Sequence, residues 1–90
     1  MEKRIKITVK GFVQGVGFRY FAYKKANEYG LTGYVKNLIN GDVEAEAQGN
    51  SGIVNDFLSD LKIGPSGSYV KSVITEDIPL QLNEAEFEIK

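Results

Sequence analysis

The sequence predicts an α+β fold, an antiparallel sheet with two helices packed on one of its faces. Two observations carry that expectation. Short runs with a period of two recur along the chain, as strands require, at Arg4–Lys10, Leu31–Asn37, Asp42–Gln48, Ser68–Glu76 and Glu84–Ile89. Two stretches between them, Phe18–Tyr29 and Ile53–Leu61, instead repeat apolar residues every three or four positions, as helices require.

In the first strand Ile5, Ile7 and Val9 alternate with charged or polar neighbours. Gly-Phe-Val-Gln-Gly-Val-Gly-Phe-Arg, from Gly11 to Arg19, leads into the first helix. There Phe18, Phe21, Ala22, Ala26 and Tyr29 share one face, Tyr20, Tyr23, Lys24 and Asn27 form a solvated one, and Gly30 ends the helix as a left-handed cap. The second strand sets Gly33, Val35 and Asn37 against Tyr34 and Lys36. Asn40-Gly41 is a hairpin signal, and in the third strand Val43, Ala45 and Ala47 alternate with Asp42, Glu44, Glu46 and Gln48. At alternate strand positions those carboxylates are expected to line a solvated sheet face and not a metal site.

Asn50 or Ser51 caps the second helix, whose stripe is Ile53, Val54, Phe57, Leu58 and Leu61, and Gly64-Pro65 stops it. The fourth strand should place Val70, Ser72 and Ile74 on one face and Tyr69, Lys71 and Val73 on the other. The last alternates Ala85, Phe87 and Ile89 with Glu84, Glu86 and Glu88. The order βαββαβ plus a short final strand is the split β-α-β arrangement of a ferredoxin-like α/β sandwich, with residues 1–90 as one domain. In that topology strands one and two are parallel with strand three between them, so their C-terminal ends emerge at the same end of the sheet. Arg19 and Asn37 are therefore expected at one site, although 18 residues separate them.

A glycine-rich turn from strand to helix is suited to anions. Its glycines let several backbone N–H groups converge, and the helix N-terminus adds partial positive charge. Arg19, in the first helical turn, carries a planar fork able to grip two phosphoryl oxygens. Two other glycine motifs fail against the same residues. The dinucleotide fingerprint needs a third glycine where Tyr20 stands and an acidic residue near Lys36 and Asn37. The nucleoside-triphosphate loop needs Gly-Lys-Ser or Gly-Lys-Thr, which the chain lacks. A turn whose glycines serve only backbone geometry, with Arg19 on the surface and Asn37 merely closing a strand, stays open on these residues alone.

Composition narrows the chemistry. With 42% hydrophobic residues, the chain can build one core unaided and bury about 60–65% of its unfolded surface. Without cysteine it has neither disulfides nor thiolate chemistry, and without histidine it has no Ser-His-Asp triad, phosphohistidine or histidine-ligated metal. An enzyme built this way lacks the usual general acid–base, so its reaction needs an easy leaving group. Eleven basic against 12 acidic residues, net −1, argue against nucleic-acid binding through backbone electrostatics. No apolar run approaches a membrane span and no signal peptide opens the chain, so a cytoplasmic protein, monomeric and without a membrane partner, is expected.

The run Gly11–Arg19 strongly resembles the first signature of the acylphosphatase family. The second is matched by Gly33-Tyr34-Val35-Lys36-Asn37, followed by Gly41, Val43 and Gly49 at the family spacing. Gly64-Pro65 and Phe87-Glu88-Ile89 are similar too, so the resemblance covers essentially the whole chain and points to a small, stand-alone member. It implies metal-independent hydrolysis of acyl phosphates to carboxylate and inorganic phosphate, with no cofactor and a small acyl phosphate as partner. It maps catalysis to Arg19 and Asn37, and phosphate binding to Arg19 and the backbone of Gln14, Gly15, Val16, Gly17 and Phe18. Asn37 would orient the attacking water. Two rivals are a domain of this kind that binds phosphate without turnover and an RNA-binding sheet. The latter is disfavoured by strands that lack the aromatic, basic signature and by a sheet expected to show the carboxylates of Glu44, Glu46, Glu84, Glu86 and Glu88 to solvent.

Overall fold

A computed structural model describes residues 1–90. Its elements are β1 (Glu2–Phe12), α1 (Phe18–Glu28), β2 (Thr32–Asn37), β3 (Val43–Asn50), α2 (Ser51–Ile63), β4 (Tyr69–Ile78) and β5 (Phe87–Ile89). The sheet order is β4-β1-β3-β2-β5. β3 pairs antiparallel with both β1 and β2, so β1 and β2 run the same way on either side of it, as the ferredoxin-like topology requires.

The register follows from apolar alternation. Ile5, Ile7 and Val9 lie opposite Ala47, Ala45 and Val43, and Gly33, Val35 and Asn37 lie opposite the same three residues from the other side. A one-residue slip would turn these apolar sets to the opposite face, which is why the register is firm. The small side chains of Ala45 and Ala47 leave room for the two helices, which seat Phe18, Ala22 and Ala26 from α1 and Val54, Phe57 and Leu61 from α2 in one buried core. Phe57 meets Phe87 of β5 edge-on, with ring centroids 5.9 Å apart. α2 begins at Asn50, whose Oδ1 accepts from the N–H groups of Gly52 and Ile53 at 3.0 and 3.4 Å. Gly30, at φ 70°, turns the chain out of α1 as expected.

Three expectations are corrected. The sheet is mixed, because β5 pairs parallel with β2. β4 and β5 occupy opposite edges, so the chain between them must cross the sheet, and it arrives running with β2. The strict alternation of β4 also fails. A bulge opposite Lys10 and Gly11 resets its phase, so that Val70 and Val73 both pack on the core. In the last segment only Phe87 is buried, while Ala85 and Ile89 are exposed.

The third correction concerns the carboxylates. The crossing segment, residues 79–86, lies on the sheet face away from the helices. Gln81 N–H donates to Gln48 Oε1 at 2.7 Å, and Gln48 Nε2 donates to the Gln81 carbonyl at 3.1 Å. Beneath the segment Arg4 is only 2% exposed and donates to Glu46 at 2.9 Å and to Glu84 at 2.7 and 3.2 Å. Glu44 accepts from Tyr34 Oη at 2.6 Å and pairs with Lys6 and Lys36. Glu44, Glu46 and Glu84 thus belong to a half-buried ionic network, whereas Glu86 and Glu88 do face solvent.

Candidate active site

The site lies at the end of the sheet opposite that crossing. β1 runs out at Phe12 into the loop 13–17, and β2 ends at Asn37 beside it. Gly15 and Gly17 take φ of 76° and 77°, left-handed conformations that a residue with a Cβ adopts only under strain. Gly17 is the N-cap of α1, with no side-chain cap and no acidic residue in the first turn. None of the amides from Gln14 to Tyr20 donates to a protein acceptor, and the helical ladder begins with Phe21 N–H on the Gly17 carbonyl at 3.0 Å. Left-handed glycines and an uncapped helix N-terminus thus gather unsatisfied donors where the helix adds positive potential.

Five of the seven residues that carry these amides, Gly15, Gly17, Phe18, Arg19 and Tyr20, line a cavity of about 260 Å³. Its polar wall is made by Gly15, Gly17, Arg19 and Asn37, its apolar wall by Val13, Phe18, Tyr20 and Ile89. The volume sits just below the roughly 300–1,000 Å³ common for ligand pockets, which suits a phosphoryl group with a small substituent. Arg19 pairs with no Asp or Glu side chain. Its one side-chain hydrogen bond is Nη1 donating to the main-chain oxygen of Lys90, just beyond β5, at 3.2 Å. Asn37 faces the helix side of the sheet, in phase with the fully buried Val35, and lines the cavity with Arg19. The structure contains no group of three or more His, Cys, Asp and Glu side chains arranged to hold a metal.

Of the residues singled out by sequence, Gly15, Gly17, Phe18, Arg19 and Asn37 come together at this cavity. Gln14 and Val16 do not line it. Val16 packs against the core, and the Gln14 side chain turns away to the chain beyond Asn37. Three lining residues, Val13, Tyr20 and Ile89, escaped sequence reasoning; Val13 stands in the loop itself, one residue before the predicted cradle. Tyr20 was expected on a solvated helix face, and its place next to Arg19 in the first turn is the signal that finds it. Ile89 is brought here by the parallel pairing of β5, which alternation alone does not reveal.

Most displaced ionisations lie on the far face of the sheet; the exception is Tyr29 on the helix side, whose hydroxyl is pushed up to about 12, chiefly by donating to Asp60. Burial alone would push the Glu84 carboxyl up, but hydrogen bonds from Arg4 and Thr32, and the charges of Arg4 and Lys90, hold it below its ordinary value. Burial opposes ionisation of Glu44 too, and is outweighed by Tyr34, Lys6 and Lys36. Burial and the two glutamates push the Tyr34 hydroxyl well up, so it stays a donor.

A family model described as Acylphosphatase matches residues 5–89. An acylphosphatase of Chlorobaculum tepidum is 46% identical over 88 residues, covering 98% of this chain and 96% of its own. The solved structure of an acylphosphatase from Coxiella burnetii superposes with a TM-score of 0.94 at 40% identity, covering 99% of this chain and 93% of that one. Acylphosphatase from Bacillus subtilis also gives 0.94, at 34% identity, covering 100% and 99%.

Proposed function

This chain belongs to the acylphosphatase family of enzymes, which hydrolyse acyl phosphates, and on that premise we propose how its own residues perform the reaction. Arg19 and the backbone N–H groups from Gln14 to Phe18 bind the phosphoryl oxygens, and the Asn37 amide orients the attacking water. The observation that carries this reading is the single cavity shared by Arg19, Asn37 and a loop whose amides have no protein partner.

The substrate is a mixed anhydride of a carboxylic and a phosphoric acid. Water attacks phosphorus in line with the bridging oxygen. The new P–O bond forms as the bridging P–O bond breaks, and that bond's electron pair departs with the carboxylate. One water proton passes to a phosphoryl oxygen, leaving carboxylate and inorganic phosphate. A carboxylate leaves readily at neutral pH, so a chain without histidine needs no general acid here. Phosphoryl transfer passes through a loose transition state, and its catalysis is mostly positioning and charge stabilisation. Arg19 and the loop N–H groups supply both, without a metal or cofactor. Residues 1–90 act as one unit, as a monomer, and a chain free of cysteine is suited to the reducing cytoplasm we propose for it.

The test is release of phosphate from acetyl phosphate with a chelator present, by wild type and Arg19→Ala. An arginine in this role is worth about 10³–10⁵ in rate, so the variant should lose nearly all turnover. Wild type that binds phosphate but turns over no acyl phosphate would make the domain a binding module. Turnover abolished by the chelator would overturn the metal-free mechanism.

A further inference from the structure

The Gln14 side chain joins two parts of the site. Its Nε2 donates both hydrogens, one to the Leu38 carbonyl and one to the Asp42 carbonyl, each at 2.8 Å. The amide fits only this way round, because flipped it would set its own carbonyl oxygen against two others. The two acceptors close the turn that follows Asn37. Leu38 N–H donates to the Asp42 carbonyl at 2.8 Å, and Gly41 N–H donates to the Leu38 carbonyl at 3.2 Å. Gln14 thus reaches from the loop before Arg19 to the residue immediately after Asn37. Lys10 also holds this turn, through the Asp42 carboxylate at 2.7 Å, but it is 41% exposed and its pull is weakened by solvent.

We propose that Gln14 is a positioning residue, whose amide fixes the turn bearing Asn37 against the loop bearing Arg19 and so aligns the attacking water with the bound phosphoryl group. The proposal rests on the role given to Asn37 above. In-line attack needs the water and the phosphorus held in one geometry by two segments from different strands. Neither β1 nor β2 touches the other directly, since β3 lies between them. The Gln14 amide supplies a direct link at the catalytic end. Misplacement by about 1 Å can cost about 10² in rate, even when the residue responsible never touches substrate.

Gln14→Met is the informative variant, because it keeps the side chain's length and removes both donors. Its fold should survive, since the β2–β3 ladder, the Leu38–Asp42 bond and the Lys10–Asp42 pair remain. Steady-state kinetics on acetyl phosphate and inhibition by inorganic phosphate are measured for wild type, Gln14→Met, Asn37→Ala and the double variant. Removing one preorganised polar group costs about 10²–10³, the loss expected for Asn37→Ala. For Gln14→Met a fall in kcat of about 10–10² is expected with phosphate inhibition little changed, because the cradle itself is intact. In the Asn37→Ala background the Gln14 substitution should cost almost nothing more.

Full activity of a folded Gln14→Met beside a crippled Asn37→Ala would overturn the tether alone. So would a loss that multiplies in the double variant, or one matched by loss of phosphate inhibition. Wild-type activity in Asn37→Ala would overturn the role of Asn37, and the tether with it.

Discussion

Arg19 gains its importance from what it lacks. It has no acidic side-chain partner, it stands in the first turn of a helix with no acidic residue, and it shares a cavity with residues whose backbone donors are unsatisfied. A planar fork there can hold two oxygens in a fixed relation, which a lysine ammonium cannot. Arg19→Lys should accordingly behave much like Arg19→Ala in turnover while folding normally. Substantial turnover by Arg19→Lys would reduce the residue to a simple positive charge. The shared placement of Arg19 and Asn37 was legible in sequence because the topology carries both to one end of the sheet. The path of the Gln14 side chain was not, because a flexible amide goes where tertiary structure offers acceptors. Those acceptors, on Leu38 and Asp42, lie in a different hairpin.

The element that makes the site is the junction of β1, loop and α1. Gly17 at φ 77° and ψ 20° has open space where a Cβ would stand, so a side chain there meets backbone strain and no collision. A left-handed residue with a side chain costs about 1–2 kcal/mol, and more for a branched one. Gly17→Val should relieve that strain by shifting the loop, disperse its N–H groups and weaken inhibition by inorganic phosphate. Unchanged phosphate inhibition in the folded variant would remove the backbone cradle from the mechanism. The two helices were readable because their apolar spacing holds over three turns. β4 and β5 were read less well, since a bulge resets alternation and a strand of three residues carries too little pattern to reveal its direction.

Across the whole molecule, the candidate site occupies one end of the sheet and an ionic clamp the face opposite the helices. Alternation correctly put Glu44 and Glu46 on that face, but no local pattern announces that residues 79–86 will cover it. The cover turns Arg4 into a nearly fully buried charge, and removing it would leave two carboxylates without their main partner. Breaking a buried pair in this way costs about 3–5 kcal/mol, and Arg4→Met should approach that figure. Glu84 and Glu44 are held below their ordinary value of 4.5 when folded. Just below that value the unfolded chain binds more protons than the folded one, so stability falls as pH falls. Their contribution is full above about pH 4.5 and is lost as the folded carboxyls titrate below it. Urea midpoints should thus drop between about pH 7 and pH 3, and drop less steeply in Arg4→Met. Identical pH dependence in the two proteins would show that the clamp does not govern acid stability.

The proposed mechanism turns on attack at phosphorus by a water that Asn37 would hold. Hydrolysis of acetyl phosphate by the wild-type enzyme in water enriched in oxygen-18 tests this directly, with the label located in the products by mass spectrometry. The account predicts one labelled oxygen in the inorganic phosphate and none in the acetate, because the bridging bond breaks on its phosphorus side. Label in the acetate would mean attack at the carbonyl carbon. That result would contradict the roles given to the loop, Arg19 and Asn37 together.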